Sequence, residues 1–596
     1  MTETPQKSIQ QLIKDGEYLS AYDLASQLLE QDPDNENLVY YSILSLARSG
    51  ALTQAQTRYS QSKLASLDNE DYLSLGARLS KDSALSGPLA DRKSGLEDAA
   101  RQYEQIYHKT GGDYPAVNAA TLYFLSGDLG KAHSLAEQVL DICKNQGKKQ
   151  GLGEYYRLVT IAEANLVLGK TENIAELLLE ATKHISDDWS ARSITQKQLS
   201  LLLPEQTDRS LLQALNPPQV IHFCGHLISK DTSNSRFKPE NEPVVRNTII
   251  HELNRLNVGF GYGSLASGAD ILFAEALLER NAHLHVILPF NMEEFVDISV
   301  KPAGKEWVVR FENCIKQAKT ITYATEDEYL NDDSLFHYTT RLAMGLAIQK
   351  CDDLNLSPIQ IAVWDNKPPE GIAGTAADIY FWHEKKLPAI LISSSTGELL
   401  PQPTDVKFIS SESPPRSRHP MAMLFGDIKG FSKLTDRELL IFVEEVLGAI
   451  SKALEPFENS IHSVNTWGDG IFIVLRDTIQ AAECALSIQE AITNIDLVKI
   501  GLPEHISIRI GGHFGPVYAL KDPILKRRNF FGSHVSRAAR IEPVTPPGEV
   551  YVTRQFAAEI AIENSSDYKT EYVGIMPAAK AYGKLPMYAL RKRSDI

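Results

Sequence analysis

Asp427 lies in Phe425-Gly426-Asp427-Ile428-Lys429-Gly430-Phe431, and Asp469, 42 residues on, lies in Asn465-Thr466-Trp467-Gly468-Asp469-Gly470. Each Asp follows a run of strand character and sits where the chain turns. Two carboxylates delivered from neighbouring strand ends offer hard oxygen donors. Such a pair can hold two Mg²⁺ or Mn²⁺ ions against a nucleoside triphosphate. The chemistry implied is phosphoryl transfer. An Asp at a hairpin turn is also an ordinary turn former, so the elements around the pair carry the argument.

Those elements are legible. Met421 to Phe425 reads as a short apolar strand that delivers Asp427. Gly430 permits a tight loop whose amides approach phosphates, with Phe431 beside it. Thr435-Asp436-Arg437-Glu438 is a capping box, and predicts a helix to about Leu454. Ile461 to Val464 and Ile471 to Leu475 flank Trp467-Gly468-Asp469-Gly470 as a β-hairpin with Asp469 at its turn. A helix from about Thr478 to Ile492, a strand at Ile506 to His513 and a small-residue helix at Gly532 to Arg540 follow.

With these motifs in place, residues 421 to about 590 resemble class III adenylate/guanylate cyclase domains. The resemblance rests on the strand–loop–helix, the Asp469 hairpin, Arg509-Ile510-Gly511-Gly512-His513-Phe514-Gly515-Pro516-Val517 and Val535-Ser536-Arg537-Ala538-Ala539-Arg540, all in the family's order. It implies a ferredoxin-like α+β domain acting as a head-to-tail homodimer with active sites at the interface. The implied reaction is attack of the ribose 3′-OH on the α-phosphate, with pyrophosphate leaving. Asp427 and Asp469 match the two metal-binding positions, helped by the backbone carbonyl of Ile428. Arg540 matches the arginine that meets charge developing on the α-phosphate oxygens, and would come from the partner subunit. Lys580 matches the triphosphate-binding lysine, with Lys584 an open alternative. Read alone, Arg540 is equally a charge at a helix C-terminus.

Three positions depart from the family pattern. Asn465 stands where a purine-selecting Lys is common. Asn529 stands where an adenine-selecting Asp is expected. Ser536 replaces the Asn that orients the ribose, which predicts slower turnover. An amide both donates and accepts, so Asn465 and Asn529 leave the base open. The family's base rate favours ATP and cAMP. Guanylate cyclase and pyrimidine cyclase (cCMP or cUMP) activities are the alternatives, and a non-catalytic nucleotide-binding sensor is a third.

Upstream, two further regions appear. Residues 1–210 are helical in pattern, with short turns at Gly16, Gly50, Gly127 and Gly169; the first two are 34 residues apart. That is the tetratricopeptide period, and the region resembles a degenerate tetratricopeptide-type solenoid. Such a stack presents a surface for a protein or peptide partner, or serves as a packing scaffold. Residues 216–398 alternate strand and helix, with strands at 220–224, 259–261, 284–288, 320–323, 359–364 and 389–392. That order predicts a doubly wound parallel sheet. Gly261-Tyr262-Gly263-Ser264-Leu265-Ala266-Ser267-Gly268-Ala269-Asp270 opens a helix after a strand. It resembles the Gly-rich loop of the Rossmann-like SLOG family, which implies a nucleotide ligand there; a plain tight turn is the competing reading. No chemistry is assigned to His226. Residues 399–420 are polar and Pro-rich and read as a linker; the domain with the candidate site is 421–592.

Bulk properties narrow the setting. The 596 residues carry a net charge of −16, which argues against non-specific nucleic-acid binding. No run of about 18 apolar residues and no signal-peptide pattern occur, and five scattered cysteines fit reduced thiols. The expected setting is cytoplasmic, with no membrane and no nucleic-acid partner.

Overall fold

The computed structural model describes residues 5–185, 187–204, 209–228, 235–403, 417–563, 567–581 and 583–593. Residues 404–416, the centre of the stretch read as a linker, lie outside that set. The two ends of that stretch are strands: Leu399–Leu400 joins the middle sheet, and Arg418 opens the last one. Among the described residues no helix is long and apolar enough to cross a membrane.

Helices fill the chain up to Ser200. The turns at Gly16 and Gly50 precede two antiparallel hairpins, Tyr18–Leu29 with Glu36–Arg48 and Leu52–Gln61 with Glu70–Ser86. The second helix of each pair starts on an Asn whose side chain accepts a backbone N–H, Asn35 from Leu38 and Asn69 from Tyr72. These caps repeat the 34-residue period and satisfy amides that the helix leaves open. Ala21, Ala25 and Ala55 are fully buried where the helices cross. Later helices gather round a separate core that includes Tyr103, Val139 and Tyr155.

The middle region is a seven-stranded sheet. Its strands are β1 (Gln219–Gly225), β2 (Val258–Gly263), β3 (His283–Leu288), β4 (Thr320–Tyr323), β5 (Ile359–Trp364), β6 (Ala389–Ser393) and β7 (Leu399–Leu400). The order is β4-β3-β2-β1-β5-β6-β7, and only the pairing of β7 with β6 is antiparallel. Alternate side chains of β1 enter different cores. Ile221 and Phe223 pack with helices Glu242–Arg255 and Ala269–Glu279, while Val220 and Cys224 face the opposite side. All five cysteines are buried free thiols.

The last region is a second sheet. It comprises β8 (Arg418–Lys429), β9 (Ile461–Trp467), β10 (Gly470–Leu475), β11 (Ser507–Lys521), β12 (Arg528–Phe531), β13 (Val550–Thr553), β14 (Tyr568–Pro577) and β15 (Lys584–Lys592). Its order is β14-β15-β13-β11-β8-β10-β9, with β12 folded back on β11. The first part runs β8–helix–β9–β10–helix–β11, a βαββαβ unit. The capping box forms as expected: Thr435 N donates to Glu438 Oε2 at 2.7 Å, and Glu438 N donates to Thr435 Oγ1 at 3.4 Å. The helix it starts continues to Leu454 through a wider π-type turn at Phe442–Leu447.

The three regions share one core. Helix Ser334–Leu354 of the middle region crosses helix Arg554–Glu563 of the last one. Gly345 makes that approach possible, since a Cβ there would fall 2.3 Å from the Ala558 carbonyl oxygen. Tyr338 donates its hydroxyl to the Phe514 carbonyl at 2.9 Å. At the far edge the repeats cover β14: Tyr572 donates to Asp23 at 2.7 Å, and Lys569 Nζ donates to the Gly50 carbonyl at 2.5 Å. An edge strand left open would invite pairing with another chain; here the chain's own helices occupy it.

Candidate active site and its neighbourhood

β8 lies between β10 and β11, and the register places Asp427 opposite Gly470 on one side and Arg509 on the other. The hairpin β9–β10 turns through Gly468, at φ +75°, and Asp469. Its turn touches the end of β8, where Ile428 N donates to the Asp469 carbonyl at 3.3 Å. Asp427 and Asp469 are thus neighbours on one sheet end. Gly430 adopts φ +95° and caps the short turn Phe431–Lys433. The Phe431 ring packs on Phe442 at 5.1 Å between centroids and reaches toward Gly468. The loop after Asp427 is thereby held against the hairpin.

Two residues with no role assigned from sequence complete this corner. Arg509 donates from Nη2 to Asp427 Oδ2 at 2.8 Å and from Nε at 3.2 Å, and pairs with Glu542 at 2.5 Å. Burial pushes the Glu542 carboxyl up to about 7; Arg509 opposes that, while Asp427 and Asp469 reinforce it. The Arg509 guanidinium therefore bridges two carboxylates, Asp427 and Glu542, with Asp469 close enough to act on Glu542. Arg509 was visible as a polar residue between Ile508 and Ile510, but its partner depends on the β8–β11 register, which sequence alone does not give.

The remaining predicted residues fall into two other groups. Arg540 follows helix Ser533–Ala538, which carries an exposed Ser536. The Arg540 carbonyl accepts the Ala579 amide at 3.2 Å, which places the exposed Lys580 on the adjoining turn. Tyr582, in the same motif, lies outside the described residues. Asn465 sits on the edge strand β9, where its Oδ1 accepts a hydrogen bond from Arg527; a groove there is lined by Val464, Trp467, Leu525 and Arg527. Asn529 is engaged within its own hairpin. It donates Nδ2 to Asp522 at 3.0 Å and accepts the Phe530 amide at 2.9 Å.

Helix Ser533–Ala538 is also gripped from the middle region. The segment after β4 supplies Thr325, 3.0 Å from His534 Nε2, and Asp327, which accepts from Ser533 Oγ at 2.5 Å. Glu326 lies 3.5 Å from Arg537. His534 Nδ1 meets His513 Nε2 at 2.7 Å, and His513 Nδ1 meets Thr553 Oγ1 at 2.8 Å. Burial holds both imidazoles well below their usual range, so the chain is a run of neutral rings. Arg418, at the start of β8, anchors to the same segment through its backbone N–H on Asp332, 2.8 Å, and its guanidinium on the Glu328 carbonyl, 3.0 Å.

In the middle region, the Gly-rich loop does precede a helix, Ala269–Glu279. Three of its amides already have partners: Ala266 N donates to Asp270 at 3.2 Å, Ser267 N to the Ser299 carbonyl and Ala269 N to the His226 carbonyl. His226 itself pairs with Asp365 at 3.0 Å.

Residues 414–592 match the family described as the adenylate and guanylate cyclase catalytic domain, and residues 17–123 match tetratricopeptide repeats-sensor. The C-terminal unit is a class III cyclase domain. An adenylate cyclase of Streptomyces coelicolor is 23% identical over 302 residues, 46% of this chain and 71% of the relative. A Rhizobium meliloti relative is 29% identical over 137 residues, and the match spans only 22% of either chain. Among solved structures, the guanylate cyclase domain of RhGC from Catenaria anguillulae, in complex with GTP, is 22% identical. That match covers 29% of this chain and 97% of that one, with a TM-score of 0.25.

Proposed function

We propose that the chain is a cytoplasmic nucleotidyl cyclase that converts a nucleoside triphosphate into a 3′,5′-cyclic nucleotide and pyrophosphate at a homodimer interface, with its first two regions regulatory. The observation carrying this reading is the convergence of Asp427 and Asp469 on one sheet end inside a cyclase-family domain. The donor set fits divalent Mg²⁺ or Mn²⁺, because carboxylate and carbonyl oxygens are hard ligands. Arg509 engages Asp427 through Oδ2, which leaves Oδ1 for an ion. When bound, the two ions would supply Lewis acidity at the 3′-OH and at the β- and γ-phosphates. Asp427 and Asp469 would hold them, with the Ile428 carbonyl as a further donor.

The chain's own groups do the rest. Arg540 would donate to the α-phosphate oxygens as negative charge gathers there. Lys580, beside it, would hold the triphosphate, and Ser536 would position the ribose. Among the described residues the Arg540 side chain has no ion-pair partner, as expected of a group that serves a second subunit. Exposed Trp467, Ile524, Leu525 and Phe531 on β9 and the β11–β12 hairpin support such an association.

The base stays with ATP on the family's balance, yet one observation favours GTP. With one lone pair of its oxygen occupied by Arg527, Asn465 presents chiefly its N–H donors, and Arg527 adds more. Donors match the guanine O6 and N7 acceptors better than the adenine amino group. The middle region would serve as a Rossmann-like nucleotide sensor, and its Thr325–Asp332 segment would pass a signal to the helix beside Arg540.

Purified full-length protein is given ATP, GTP, CTP or UTP with Mg²⁺ or Mn²⁺, and products are identified by mass. A cyclic product from a purine nucleotide is expected, and Asp427→Ala or Asp469→Ala should abolish it. Turnover that persists in the double variant, or absence of cyclic product from every nucleotide, overturns the reading.

A further inference from the structure

The strand β3 carries His283 and His285, two residues apart and so on one face of the sheet. That face looks toward the first turn of the helical repeats, where Glu17 follows Gly16. One ring nitrogen from each histidine and one Glu17 carboxylate oxygen lie within 4.8 Å of one another. No part of the cyclase reading uses these residues.

Two features distinguish this cluster from chance proximity. First, His283 Nδ1 and His285 Nε2 are buried and have no hydrogen-bond partner. Buried nitrogens left in that state are costly unless something occupies the space between them. His285 is 4% exposed. Second, the ring of His285 is fixed from behind. Its Nδ1 meets Thr320 Oγ1 of the neighbouring strand at 2.8 Å, and Tyr262 stacks on it at 4.3 Å with the planes 5° apart. An outer hydrogen bond of this kind sets the tautomer and aims the other nitrogen at a ligand.

We infer that Glu17, His283 and His285 form a binding site for a zinc-class divalent transition-metal ion, which pins the first turn of the repeats to the middle sheet. Two imidazoles and a carboxylate suit Zn²⁺, with a further position open to water. Lys350 donates to Glu17 Oε1 at 2.9 Å and to the Gly16 carbonyl at 2.7 Å. It holds the turn in place and leaves the second carboxylate oxygen for the ion. Mg²⁺ prefers an oxygen shell, so the cyclase corner and this cluster select different metals.

The test uses full-length protein stripped with chelator, then titrated with Zn²⁺, or with Co²⁺ as a spectroscopic probe, in excess Mg²⁺. Wild-type protein should retain one Zn²⁺ per chain after dialysis, develop a visible d–d band with Co²⁺ and gain thermal stability on Zn²⁺ addition. His283→Gln with His285→Gln should lose all three responses while keeping the chelated protein's melting temperature. Glu17→Gln, at a less buried position, repeats the test should the histidine variants fail to fold. Asp427→Ala should retain the site. Equal Zn²⁺ retention and an equal Co²⁺ spectrum in wild type and in either set of site variants, or no retained Zn²⁺ in wild type, overturns the inference.

Discussion

Arg509 is the residue that most changes the reading of the candidate site. Its guanidinium lies on the carboxylate proposed to bind metal, and a divalent ion must share or displace it. A unit charge at this range in a half-exposed setting is worth about 1 kcal/mol after screening. Arg509→Gln should therefore lower the Mn²⁺ concentration for half-maximal cyclase activity by roughly fivefold, as read from metal titrations of the initial rate; an unchanged or raised requirement would show that Arg509 assists binding instead. Asp270 and Asp378 make a second residue-scale case. Burial pushes Asp270 up to about 7 and Asp378 up to about 8, and the nearby Asp270 carboxylate adds to the rise at Asp378. Their folded values lie above the unfolded value near 3.8. The folded state thus binds more protons than the unfolded state between those limits, and stability falls as pH rises through them. Asp378→Asn should flatten the pH dependence of the melting temperature between about pH 5 and 8 and raise stability at the upper end.

Two elements hold the cyclase unit in place. Helix Ser334–Leu354 lies against helix Arg554–Glu563 with backbones in contact at Gly345, and Arg341 pairs with Glu559, which is 2% exposed. Removing one partner of a buried pair leaves an uncompensated charge, at a cost of about 3–5 kcal/mol. Glu559→Ala should therefore destabilise the full chain by that order in chemical denaturation, and Gly345→Leu should do so by overpacking, about 1–3 kcal/mol. The second contact is the Thr325–Asp332 segment on helix Ser533–Ala538. Asp327→Ala removes its bond to Ser533 without touching the proposed metal corner. The cyclase rate should change severalfold while Mn²⁺ dependence stays fixed; an unaltered rate would remove this segment from the signalling route.

At the scale of the whole molecule, the repeats and the middle region are packed on the cyclase unit rather than strung before it. The core runs from Tyr18 through Tyr338 to Phe556 without a break. A piece starting at Arg418 would expose the β14 edge and the apolar face around Val552 and Phe556. It should bind more hydrophobic dye and self-associate more than the full chain, and its activity per active site should differ. Equal activity and equal dye binding would mean the upstream regions neither shield nor regulate it.

The sequence alone placed the local elements, because their signals are local. The 34-residue turn period, the capping box at Thr435, the Gly468-Asp469 turn and the alternation of strands and helices each depend on a few adjacent residues. The hairpin turn itself is local, but bringing Asp469 beside Asp427 needs the β8–β10 register. What the tertiary structure decided was every partner set by strand register or by domain docking. Arg509 on Asp427, the shared Asn465 oxygen, the His513–His534 run against Thr325 and the meeting of Glu17 with His283 and His285 all join residues far apart in the chain. Each depends on how faces of helices and sheets bury against one another. Burial is non-directional and is summed over whole surfaces, so no short motif records it.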